Sequence, residues 1–146
     1  MIRTTILAGV ALGLGLTLAF AQGDPIAQRR QIMKGVGEAT KIGSGMAKGE
    51  IPFDAAKAKE VLRVYADAAD RMHNHFPETS KTGGETTAAP KIWEDQAGFR
   101  KRFDDWAADI KTAAAHTDSK ESFTAAFQTV AKNCGGCHET YRIKKQ

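Results

Sequence analysis

No catalytic constellation assembles from this sequence by spacing. There is no Ser/His/Asp set, no paired carboxylates and no glycine-rich phosphate loop. The chain is therefore not expected to be an enzyme. Strand-type alternation of apolar and polar residues is also absent, which points to an all-α fold. Proline is scarce, and all four (Pro25, Pro52, Pro77 and Pro90) fall at the edges of helical patterns rather than inside them. A strong charge of one sign is missing too: 21 Lys and Arg are set against 17 Asp and Glu, for a formal +4. The basic residues are dispersed among the acids and form no stripe. That argues against nucleic acid as a partner, and the small excess reads as a solubility feature. Only Arg142, Lys144 and Lys145 cluster locally.

Long hydrophobic runs are limited to one, from Ile6 to Phe20. It follows a single Arg3 and ends at Ala19-Phe20-Ala21, with small residues where a signal peptidase reads. The run is short for a bilayer span. Residues 1–21 are expected to be a signal peptide that sends the protein to the periplasm, with no membrane attachment after cleavage. Removing them takes Arg3 away, leaving 125 residues, 22–146, and a formal +3. That length suits one domain.

Four amphipathic segments make up those residues. The first, from about Asp24 to Ala47, starts with an Asp N-cap and a Pro at the first helical position. It repeats Ile26, Ile32, Met33, Val36 and Ile42 at helical spacing. Gly35, Gly37, Gly43 and Gly45 each cost it about 1 kcal/mol against Ala, so either they permit close packing or the segment frays after Val36. The second runs from Pro52-Phe53-Asp54 to Phe76 with a stripe of Ala58, Val61, Leu62, Tyr65, Ala69, Met72 and Phe76. Residues 78–89, rich in Thr and Gly, read as a loop. Pro90 opens the third, whose stripe of Ile92, Trp93, Phe99, Phe103, Trp106 and Ile110 is the bulkiest. The fourth starts near Ser119 and carries Phe123, Phe127, Val130, Cys134, Cys137 and Tyr141. Four helices in succession are expected to form an antiparallel up-down-up-down bundle.

The cysteines hold the strongest signal. Cys134-Gly135-Gly136-Cys137-His138 is the C-x-x-C-H pattern of covalent c-type haem attachment. On a helix, positions i, i+3 and i+4 share a face, so two sulfurs and an imidazole point the same way. The sulfurs suit thioethers to the two haem vinyl groups, and His138 suits an axial position on the iron. The two intervening glycines leave room for the porphyrin edge. A disulfide between residues three apart would close almost no loop. A thioredoxin-like pair needs a βαβ setting, and a zinc site needs a fourth ligand that the spacing does not offer. One covalent haem c is expected.

With that motif near the end of a four-helix chain, the sequence resembles the class II cytochromes c, the cytochrome c′ family. Arg29 to Lys34, Pro90-Lys91-Ile92-Trp93 and Cys134 to Arg142 carry the resemblance. It implies two possible states. In cytochrome c′ proper the iron is five-coordinate and high-spin, and an apolar residue of the first helix blocks its open face. In a low-spin subgroup a methionine of that helix binds the iron, and here the matching residue is Met33. Residues 75–81 and the Pro90–Trp93 entry look more like the low-spin subgroup. The resemblance also places Arg29 near the haem propionates and Arg142 beside the proximal histidine. Helix geometry agrees with Met33: it lies roughly 12 Å into the first helix, and His138 roughly 9 Å from the end of the fourth. Met46 would sit at the far end. Met72 has a suitable depth but no counterpart in the family. A methionine that only fills a core gap is the alternative for Met33.

His73, His75 and His116 are expected on solvated faces, and Trp93 and Trp106 in core and haem-pocket packing. A periplasmic electron carrier, monomeric or homodimeric, that serves redox partner proteins is the function expected. A haem protein binding small gases such as NO or CO is the rival.

Overall fold

The computed structural model describes residues 23–144, and the expected signal peptide lies outside them. Five α-helices occur among these residues: α1 (Pro25–Lys48), α2 (Ala55–Arg71), α3 (Lys91–Glu94), α4 (Gln96–Ala113) and α5 (Lys120–Tyr141). The four long ones close an antiparallel four-helix bundle in which α1 packs on α2, α2 on α4, α4 on α5 and α5 on α1. No described helix is long and apolar enough to cross a membrane.

The local rules account for the helix ends. Asp24, Asp54 and Ser119 accept backbone N–H bonds as N-caps of α1, α2 and α5. Gly49 ends α1 in the left-handed conformation at φ 79°, which a residue with a Cβ adopts only with strain. The apolar stripes of α2, α4 and α5 converge on a core around the fully buried Tyr65, Phe123 and Val130. Tyr65 shares a 2.7 Å hydrogen bond with Thr40, and burial pushes its phenol pKa up to about 12.

Three expectations are revised. The third segment is not one helix. Asp95 interrupts it, caps α4 by accepting from Gly98 N at 3.0 Å, and accepts the Tyr141 hydroxyl at 2.9 Å. One carboxylate thus starts α4 and ties the end of α5 to it. The Tyr141 bond, then that from Gly98, holds the carboxyl below its usual range. Residues 78–89 are not a featureless loop: they include a 3₁₀ turn at Glu78–Ser80, and Ala88 pairs with Arg142 in an isolated antiparallel bridge. Ile42, expected on the buried stripe, is 42% exposed.

The first helix does not fray at its glycines. A Cβ on Gly43 would overlap the Phe127 ring, so this glycine lets α1 and α5 approach closely. Gly43→Ala should therefore destabilise the bundle by about 1–3 kcal/mol despite alanine's better helix propensity. An unchanged urea midpoint would show that Phe127 moves aside without cost.

Candidate functional site

One face each of α1, α3, α4 and α5, with the stretches after α2, turns toward a common cavity of about 670 Å³, within the range of a site for a large organic ligand. From α1 come Arg29, Met33, Val36, Gly37 and Thr40, a stripe at helical spacing. The stretch after α2 adds Met72 and Phe76. The α4 side adds Phe99, Phe103 and Trp106. From α5 come Cys134, Cys137, His138 and Tyr141, with Arg142 just beyond its end. Every candidate residue read from the sequence (Arg29, Met33, Cys134, Cys137, His138 and Arg142) lines this one space.

The chemistry of the donor set is consistent. Cys134 and Cys137 are half-buried and not joined to each other. Burial raises both thiol pKa values, the opposite of the depressed value that a redox-active pair requires. Burial, and then the Arg142 charge, lower the pKa of His138. Both effects favour the neutral imidazole, the form that binds iron. Among the described residues no three His, Cys, Asp or Glu side chains gather as a metal site of their own. The apolar walls and the thiol–thiol–imidazole row on α5 fit a covalently bound haem.

Arg29 is not a surface arginine. It is 4% exposed, and its two terminal nitrogens donate to Ser80 Oγ (2.9 Å), Ser80 O (3.0 Å), His75 O (3.1 Å) and Thr86 Oγ1 (2.6 Å). Its guanidinium carbon also lies 4.8 Å from the centroid of the Phe76 ring. Burial lowers its pKa, with Asp24 opposing. The side chain clamps residues 75–86 against α1, and Thr86, Thr87 and Ala88 then form one wall of the cavity. Arg29→Ala should lower stability by about 2–4 kcal/mol, because buried oxygens lose a charged donor. Arg29→Lys should recover only part of this, since one ammonium cannot match the planar fork. Equal urea midpoints for Arg29→Ala and the unaltered protein would remove the clamp.

Other placements differ from expectation. His73 is half-buried rather than solvated; its Nδ1 is buried without a partner, and its ring lies 6.2 Å from that of Phe103. Trp106 lines the cavity, whereas Trp93 stands behind Phe76 and donates to its carbonyl at 3.0 Å. Met46 is buried and lines no part of the cavity, as helix depth requires. Sequence reasoning missed Ile92, Phe99, Phe103 and the 85–88 wall as lining. The α4 residues were legible as a stripe; where the loop would lie was not.

Comparison with known proteins agrees with this geometry. The family model described as Cytochrome C′ matches residues 24–142. A cytochrome c′ from Rhodopseudomonas palustris is 42% identical over 99% of this chain and 98% of its own length. A cytochrome c-556 from the same organism is 32% identical over 99% of each. The solved structure of cytochrome c′ from Rhodopseudomonas palustris superposes with a TM-score of 0.82 at 43% identity, covering 86% of this chain and all of that one.

Proposed function

The chain belongs to the cytochrome c′ family of proteins that bind haem c covalently, and from that premise we propose that it is an exported, periplasmic electron carrier rather than an enzyme. Cys134 and Cys137 would hold the haem through thioethers, and His138 and Met33 would ligate its iron. Bound there, the group supplies a one-electron iron couple. The observation that carries this reading is that Met33 and His138, on separate helices, line the same cavity. A thioether–imidazole pair raises the potential and leaves no open position for a substrate.

The protein's own part is to position and insulate. α5 presents both sulfurs and the imidazole on one face, and Phe99, Phe103 and Trp106 exclude water from one side. Arg142 sits one turn beyond His138, as expected of a charge beside the proximal ligand. Arg29 retains Nε for a propionate contact once its terminal nitrogens are engaged by residues 75–86.

The five-coordinate, gas-binding reading draws on one observation, the higher identity to the relative named cytochrome c′ than to the one named cytochrome c-556. In that reading Met33 only packs. A potentiometric titration followed optically separates the two. The electron-carrier reading expects a single one-electron wave with low-spin spectra at both ends; a high-spin spectrum in either oxidation state would oppose it.

A further inference from the structure

The charge that looked dispersed along the chain is concentrated in space. Among the described residues, Arg29, Arg30, Lys34, Arg102 and Arg142 line the haem cavity against one acid, Glu85. Without Arg3, which leaves with the signal peptide, the chain carries 20 basic and 17 acidic residues, so 15 basic and 16 acidic remain elsewhere. The formal +3 of the chain without its signal peptide therefore sits entirely at this cavity. Arg29 is buried; the other four cations are exposed at its rim, and they come from α1, α4 and the residue after α5. Arg30 pairs with Glu85 at 2.8 Å. Lys34, Arg102 and Arg142 have no acidic partner within ion-pair distance among the described residues, so their charges are uncompensated at the rim.

Two haem propionates would neutralise two of these charges and leave a surplus. We propose that this rim is a docking surface for the acidic face of a partner protein, which exchanges an electron with the haem there. The inference rests on the electron-carrier reading and identifies the partner's chemistry. A compact patch of one sign on an otherwise balanced protein steers an oppositely charged partner to the patch and orients it on arrival. A protein face is favoured over a lipid surface because these cations surround a concave opening. A membrane is bound by a flat or linear run of basic residues.

The test uses the ferrous holoprotein and two outer-sphere oxidants of opposite charge: ferricyanide, a trianion, and tris(phenanthroline)cobalt(III), a trication. In each reaction one electron leaves the ferrous haem and reduces the complex, to ferrocyanide or to the cobalt(II) complex. The rate with ferricyanide should fall as salt is added, and the rate with the cobalt complex should rise. Lys34→Glu with Arg102→Glu should slow ferricyanide about tenfold at low salt. The same charge change at Lys57→Glu with Lys59→Glu, exposed near the start of α2, should alter it by about twofold or less. As a readout independent of electron transfer, hexacyanocobaltate(III), which is redox-inert, should shift the backbone amides around residues 34, 102 and 142. Equal rate changes in the two double variants, or no amide shifts at the rim, would overturn the proposal. So would co-sedimentation with phosphatidylglycerol vesicles that Lys34→Glu with Arg102→Glu abolishes. Immediate carbon monoxide binding by the reduced protein would instead remove the electron-carrier reading and leave any anion-induced shifts in place.

Discussion

Replacing Cys134 and Cys137 together with alanine should abolish retention of haem by the denatured polypeptide. Thioethers are covalent, so acid–acetone extraction of the unaltered protein leaves the colour with the chain, while the double variant releases all of it. Each single variant keeps one thioether and should still stain for haem on a denaturing gel. The effect is all-or-none because no other cysteine exists in the sequence to substitute. The two side chains lie on one face of α5 and line the same cavity, so losing them leaves the bundle's core contacts largely in place. Covalent haem in the double variant would refute the attachment site.

Met33→Ala should change the spin state. With the sulfur bound, ferric and ferrous iron are both low-spin, and a weak band at the red end of the ferric spectrum reports the iron–sulfur bond. The variant should lose that band, open the sixth position and take up carbon monoxide quickly. Its potential falls, because a thioether favours ferrous iron. The fold survives: Met33 is half-buried in the middle of α1, alanine suits a helix, and the stability cost should stay at about 2 kcal/mol or less. Met72 lines the same cavity. If Met33→Ala remains low-spin, adding Met72→Ala shows whether that second sulfur has taken the position. An unchanged band in both variants would remove methionine from the iron.

Much of this was legible in the chain because it is local. Stripes at helical spacing located the bundle helices, and Asp24, Asp54 and Ser119 marked three starts. The C-x-x-C-H spacing predicts its own geometry, since residues 134, 137 and 138 share a face on any helix. The break at Asp95 was hidden because Ile92 and Trp93 continue the period of Phe99 and Phe103. A capping aspartate with glycine three residues on was the overlooked signal. Arg29's four bonds join residues 46 to 57 positions apart, and no local pattern announces such a clamp. The basic rim was invisible for the same reason. Residues 29–34, 102 and 142 lie far apart along the chain, and only the closed bundle brings them to one opening. The net positive charge read as a solubility feature is thus the charge of one surface.

The most direct measurement on the central claim, a six-coordinate electron carrier, is the optical spectrum of the dithionite-reduced protein before and after carbon monoxide is admitted. Ligation by Met33 and His138 predicts sharp, split low-spin visible bands that carbon monoxide leaves unchanged on mixing. A broad high-spin spectrum, converted at once to the carbon monoxide complex, would contradict it and make the protein a gas-binding cytochrome.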